Sequence, residues 1–95
     1  MRIIDLFSGA GGLTFGFYYR KRKNEFVRNR KNSFVFANEI DHFAAEAFKA
    51  NFPDIKMINE DIKLLDKERI ERLIGDKPVD LIIGGPPCQS FSTVG

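Results

Sequence analysis

Four short apolar runs punctuate this 95-residue chain at helix-sized intervals, and that alternation leaves few folds open to it. Ile3-Ile4-Asp5-Leu6-Phe7, Phe34-Val35-Phe36-Ala37, Lys56-Met57-Ile58 and Val79 to Ile83 each have the length of a strand. Leu13 to about Tyr19 reads as a helix despite Gly16. Asp41 is placed to cap a second helix over His42 to Asn51, with Phe43, Ala44, Ala47 and Phe48 as its apolar stripe and Pro53 as its stop. Asp66 can cap a third, with Ile70, Leu73 and Ile74 on one face and Gly75 at its end. Alternating strand–helix units imply a parallel sheet joined by right-handed crossovers. The last strand is apolar at both parities after Asp80, which predicts burial on both faces. The expected class is α/β: the amino-terminal half of a doubly wound, Rossmann-like parallel sheet with strand order 3-2-1-4. Residues 1–95 then form part of one domain, with a basic insertion over about residues 20–32.

Composition narrows the setting. A chain of this length makes at most one small domain and buries only roughly 60–65% of its unfolded surface. Its single cysteine excludes an internal disulfide framework and a cysteine-based zinc site, and a reducible thiol fits the cytosol. The chain starts Met1-Arg2 and enters an apolar strand at Ile3, so no secretory signal is expected. No apolar run approaches the ~20 residues of a membrane span. A cytoplasmic protein is expected. The net charge of +2 is too small to indicate nucleic acid, but Arg20, Lys21, Arg22, Lys23, Arg28, Arg30 and Lys31 crowd together with only Glu25 opposing them. Such a run is either a solvated, mobile loop or a set of phosphate contacts adding salt-dependent affinity.

Two segments carry chemistry. After the first strand, Gly9-x-Gly11-Gly12 opens a helix, the layout of a nucleotide-type cofactor site where backbone approaches ligand closely. Glu39, at the end of the second strand, is placed to accept bonds from ribose hydroxyls, with the basic insertion lengthening the usual spacing. Asp5 would repel a diphosphate but attract the ammonium of an aminoacyl-type cofactor, which favours S-adenosylmethionine over a dinucleotide. Asp61, after the third strand, either accepts from an adenine amino group or caps a turn. Phe7 either contacts the adenine ring or belongs to the core. The second segment is Gly84-Gly85-Pro86-Pro87-Cys88-Gln89-Ser90-Phe91-Ser92. Glycines permit a sharp turn and consecutive prolines stiffen it, holding Cys88 at the carboxyl end of a strand, where open α/β sheets bind ligands. The polar Gln-Ser neighbours argue against a core thiol. Cys88 reads as a nucleophile.

Asp5-Leu6-Phe7-Ser8-Gly9-Ala10-Gly11-Gly12 and the Cys88 segment resemble the cofactor and catalytic motifs of the DNA (cytosine-5) methyltransferases. Asn38-Glu39-Ile40-Asp41 and Asn59-Glu60-Asp61-Ile62 resemble the intermediate motifs, in order. The likeness covers nearly the whole chain except the basic stretch. It implies an S-adenosylmethionine-dependent methyltransferase fold, with Phe7, Gly9, Gly11, Glu39, Ile40 and Asp61 lining the cofactor pocket; Asp5, Gly12 and Pro86 are further cofactor-side candidates. By the same resemblance Pro87 and Cys88 lie against the target cytosine. The Cys88 thiolate adds to C6 of the base, C5 takes the methyl group, and loss of the C5 proton releases the enzyme. Thiolate must be favoured by neighbouring dipoles or cations, and the base must leave the duplex stack. No metal is implied.

Arg20, Lys21, Arg22, Lys23, Gln89 and Ser90 are candidate DNA contacts. The family's Glu-Asn-Val and Gln-x-Arg-x-Arg motifs do not occur in this sequence. The resemblance therefore implies a fragment, inactive alone, that needs a complementary carboxyl-terminal half on the same or another chain. Self-association through the edge of the fourth strand is a further expectation. Methylation of RNA cytosine, or a non-catalytic S-adenosylmethionine-binding module, are the alternatives.

Overall fold

The computed structural model describes residues 1–85. Strand β1 (Arg2–Leu6) is followed by helix α1 (Gly12–Tyr18), a hairpin of β2 (Tyr19–Arg22) and β3 (Glu25–Arg28), strand β4 (Ser33–Asn38) and helix α2 (His42–Asn51). Strand β5 (Met57–Ile58), a 3-10 turn at Ile62–Leu64, helix α3 (Lys67–Ile74) and strand β6 (Leu81–Gly84) complete it. The main sheet has order β5-β4-β1-β6 and every pairing in it is parallel. Counting only these four strands in chain order, that is the expected 3-2-1-4. The register slips once, at Val35 opposite the Ile3–Ile4 step, so Ile4 stands beside Phe36 and Leu6 beside Asn38.

Local chemistry sets the element boundaries. Asp41 accepts from the Ala44 amide and Asp66 from the Arg69 amide, both at 2.8 Å, so each carboxylate caps its helix as expected. Alternate residues of the strands feed two cores. Ile4, Phe36, Ile58 and Leu65 pack beneath Ile70, Leu73 and Ile74 of α3. Ala37, Phe48, Phe52 and Ile55 fill the opposite face beneath α2. Arg2 ties β6's approach to β1: its backbone amide donates to Asp80 Oδ2 at 2.7 Å, and its guanidinium donates to the Ile74 carbonyl at 2.7 Å.

Three expectations need correction. The basic stretch is not a loop, because Tyr19 to Arg28 forms an antiparallel hairpin with Arg20 opposite Val27 and Lys21 opposite Phe26. On α2 the inward face is Ala45 and Phe48, continued by Phe52, while Ala47 is exposed and Phe43 is 83% exposed. The expected stripe was turned about 100°, one residue of helix. Finally, β6 is not buried on both faces. Ile82 is 61% exposed, because it lies beside Ile4 on the face that α3 covers nearer β4, and β6 is an edge among the described residues.

Candidate functional site

The carboxyl ends of β1, β4 and β5 bring three loops side by side. After Leu6 the chain turns abruptly: Phe7 has φ 55° and Gly9 φ 57°, both left-handed. For Phe7 that conformation is strained by about 1–3 kcal/mol, a feature that concentrates at ligand-binding loops. The Ser8 amide donates to the Asn38 carbonyl at 3.0 Å, and the Gly11 amide closes the turn on the Ser8 carbonyl at 3.1 Å. Gly11, at φ 103°, begins α1, and a Cβ there would stand 2.4 Å from Phe52 Cε2. Here glycine serves both the turn and the packing of α1 on α2.

Glu39 organises the site. One carboxylate oxygen accepts from the Gly9 amide at 2.8 Å and the other from the Asp41 amide at 2.8 Å. It thus clamps the β1–α1 loop to the β4–α2 loop while remaining half-buried. Each oxygen retains a further lone pair, so the clamp leaves Glu39 able to accept from a ligand hydroxyl. Two asparagines whose roles the sequence did not disclose complete the stitching. Asn38, 2% exposed, donates to the carbonyls of Ile58 and Glu60 at 2.9 and 2.8 Å. Asn59 donates to the carbonyls of Glu39 and Ile40 at 2.8 and 3.0 Å. A polar residue at a core-facing strand position was the one signal for Asn38.

Asp5 lies beneath these loops, fully buried. Thr14 Oγ1 of α1 donates to its Oδ2 at 2.5 Å, whereas Oδ1 has no partner among the described residues. Burial above all, with the nearby Glu39 charge, raises its pKa, and the Thr14 bond offsets part of that rise. Asp61 is half-buried and caps the 3-10 turn, accepting from the Lys63 amide at 3.0 Å. Ile40 is 60% exposed beside Glu39. Glu60 is held away from the site by a two-pronged ion pair with Arg69, whose hydrogen bond lowers the Glu60 pKa. Phe7 is half-buried and, with Leu6, Ile82, Ile83 and Gly84, lines a shallow cleft of about 210 Å³.

Glu39, Ile40, Asp61 and the glycine loop therefore gather at one edge, with Asp5 directly below. Gly12 is exposed at the first position of α1. Gly84 is the last residue of β6, where a Cβ would stand 2.1 Å from the Leu6 carbonyl oxygen, so only glycine lets β6 reach its end beside β1. Arg20, Lys21, Arg22 and Lys23 do not join this group. Their hairpin springs from the far end of α1, where the Asn29 amide donates to the Tyr18 carbonyl and Ser33 pairs with Met1. Pro86, Pro87, Cys88, Gln89 and Ser90 lie outside the described residues.

The loops at 7–12, 39–41 and 59–61 hold carboxylates and no basic side chain. That set of acceptors fits the ammonium, ribose and adenine donors of S-adenosylmethionine and does not fit a diphosphate. A four-stranded parallel sheet with ligand-facing loops at its carboxyl edge is the layout of a Rossmann-like α/β fold. Residues 1–95 match the model of the C-5 cytosine-specific DNA methylases, and the chain belongs to that family. It is 38% identical over 92 residues to the Type II methyltransferase M1.HphI of Haemophilus parahaemolyticus, covering 97% of this chain and 22% of that protein. Against Type II methyltransferase M.AgeI of Thalassovita gelatinovora it is 39% identical over 97 residues, covering 100% and 20%. A solved E. coli protein assigned as a prophage-encoded DNA modification methyltransferase superposes with TM-score 0.73 at 39% identity, over 94% of this chain and 23% of that one. A mutant of Spodoptera frugiperda DNMT2 gives TM-score 0.67 at 26% identity, over 92% and 23%. The chain thus spans about a fifth of the length of these relatives.

Proposed function

We propose that this chain is the cofactor-binding and nucleophile-bearing part of a DNA (cytosine-5) methyltransferase. The observation that carries the reading is the carboxylate-lined edge, with Glu39 fixed by two backbone amides, on a chain whose whole length matches the family. S-adenosylmethionine supplies an activated methyl group. Glu39 accepts from the ribose hydroxyls, Asp61 from the adenine amino group, and Ile40 and Phe7 flank the ring. Gly9, Gly11 and Gly12 keep the first loop thin, Pro86 borders the same pocket, and the buried Asp5 adds negative potential under the cofactor's cationic end.

Cys88, held by Pro87, attacks C6 of a flipped cytosine as thiolate. The C6–S bond makes C5 nucleophilic, C5 accepts the methyl group, and loss of the C5 proton with expulsion of the thiolate restores the aromatic ring. Gln89 and Ser90, beside the nucleophile, contact the DNA around the base. The setting is the cytoplasm, at the nucleoid in a prokaryote. No described helix is long and apolar enough to cross a membrane.

The reading extends to a partner. The outer edge of β6 is unpaired among the described residues and its Ile82 is exposed, a surface that invites a further strand, and residues 1–95 hold no Glu-Asn-Val motif, so alone they transfer no methyl group. Activity requires a complementary segment, on the same or another chain, that continues the sheet; without it this edge self-associates.

The test uses the full-length protein that carries these residues, with labelled S-adenosylmethionine and duplex DNA. Wild type labels cytosine C5 and forms a stable adduct with DNA containing 5-fluorocytosine, whose fluorine cannot leave as a proton does. Cys88→Ala abolishes both while leaving cofactor affinity within a few fold. Turnover by the alanine variant, or labelling of tRNA in place of DNA, would refute the proposal.

A further inference from the structure

The β2–β3 hairpin is the largest feature that the cofactor edge leaves unexplained, and its construction is not that of a slack surface loop. Phe26 packs edge-on against Phe15 of α1, with ring centroids 5.4 Å apart. Arg28 lies 4.0 Å from the centre of the Tyr18 ring and donates to the carbonyls of Asn29 and Asn32 at 2.6 and 3.0 Å. Arg28 is therefore spent on anchoring the base of the hairpin. The other basic residues are exposed: Arg20, Lys21, Arg22 and Lys23 run along β2 and into the turn, and Arg30 and Lys31 follow at the base. Among the described residues none of these six makes an ion pair, and Glu25 is the single acid on the hairpin. Strand alternation sends Arg20 and Arg22 to one face and Lys21 to the other, with Lys23 at the tip in a left-handed conformation (φ 57°). The result is an anchored arm carrying cations on both faces. Arg22, Lys23, Asn24, Glu25 and Val27 border a shallow depression of about 510 Å³ at its end.

We propose that this hairpin is a sequence-independent contact to the phosphates of duplex DNA, outside the reaction site. It springs from the end of α1 opposite the glycine loop, so the phosphates it would meet are separate from the groups gathered at the cofactor edge. An arm of unpaired lysine and arginine gains affinity by releasing counterions from the duplex and needs no base-edge contact to do so. That DNA is the polyanion rests on the proposed function; that the hairpin binds a polyanion does not.

The test is a salt titration of duplex binding by the full-length protein, between about 50 and about 200 mM salt, followed by fluorescence anisotropy. Converting Arg20, Lys21, Arg22 and Lys23 to glutamine should flatten the log–log salt dependence by about 0.9 for each phosphate left without its cation, and weaken low-salt binding by about tenfold or more. Exchanging the same four residues (Arg20→Lys, Lys21→Arg, Arg22→Lys, Lys23→Arg) should keep the wild-type slope. Glutamine at Lys56, Lys63, Lys67 and Arg72, exposed positions on other elements, should leave affinity within about twofold. An unchanged slope in the hairpin variant, or equal weakening in the control, overturns the proposal. Polyglutamate binding wild type as tightly as the duplex assigns the arm to an acidic polypeptide and also overturns it. A wild type that transfers no methyl group yet shows the slope difference refutes the proposed function and upholds the hairpin. An active wild type with no slope difference does the reverse.

Discussion

At its amino end α1 is locked into the sheet. Gly11 fits against Phe52 with no room for a Cβ, Thr14 donates to the buried Asp5, and the loop before it is clamped by Glu39. At its carboxyl end the same helix opens into a hairpin that makes no strand pairing with the main sheet and presents unpaired cations. Within the seven residues of α1 the molecule passes from a site whose carboxylates are held by amides and a hydroxyl, with only Asp5 Oδ1 left without a partner among the described residues, to an arm whose charges are left for something else. The contrast separates two uses of surface charge. At the glycine end, carboxylates are oriented by backbone amides before any ligand arrives, which reduces the ordering cost of binding. At the hairpin end Phe26 packs on Phe15 and Arg28 on Tyr18, and the remaining cations make no ion pair among the described residues.

If the amino end is as tightly determined as its packing implies, Gly11→Ala should produce the largest effect. The new Cβ would meet Phe52 Cε2 at 2.4 Å and Phe48 Cδ2 at 3.0 Å. Overpacking and left-handed strain together should cost about 2–5 kcal/mol in a denaturant titration of the full-length protein. Stability within about 0.5 kcal/mol of wild type would mean that the two rings yield, and the contrast would fail at its strongest point.

Glu39→Ala comes next. Two backbone amides and, on the proposed reading, the ribose lose their shared acceptor, so S-adenosylmethionine affinity should fall by roughly 1–3 kcal/mol by calorimetry. Equal affinity in variant and wild type would reduce Glu39 to a loop clamp without a ligand. Removing the anchor at the other end should cost less: Arg28→Ala should destabilise by about 1 kcal/mol, through loss of the Tyr18 stacking and of three carbonyl bonds. Its cofactor affinity should not change, and a change comparable to that of Glu39→Ala would couple the two ends.

The smallest effect is a pH dependence. Because burial raises the Asp5 pKa, the native state holds that proton more tightly than the unfolded chain. The stability this confers is complete below the ordinary carboxylate pKa of about 3.9 and is lost as pH rises through the native value. Asp5→Asn should therefore gain on wild type in thermal melts as pH rises from about 4 toward 7, while Asn retains an acceptor for Thr14. A difference that stays flat across that range would show Asp5 to be as readily ionised in the native state as in the unfolded chain.

The strand order and the helix caps were legible because their signals are local. Asp41, Asp66, Pro53 and Gly75 act within one turn of their own positions, and four apolar runs separated by helices leave few parallel arrangements. The glycine loop was legible for the same reason. The phase of α2 was not. Two overlapping stripes on that helix differ by one residue, and only contact with Ala37 and Gly11 selects the one that buries Ala45 and points Phe43 outward. The hairpin was hidden because its strands are charged on both faces and lack the alternation that marks a half-buried strand. Glu39 could be flagged from its place at the end of the second strand, although its spacing from the glycines exceeds the usual one, but its amide partners could not. Gly9 lies thirty residues away and reaches Glu39 only because Leu6 stands beside Asn38 in the sheet. Apolar spacing and capping residues reach as far as a helical turn or a strand, whereas the clamp, the buried Asp5 and the exposed Ile82 depend on which strand lies beside which, a relation that exists only once the chain has folded.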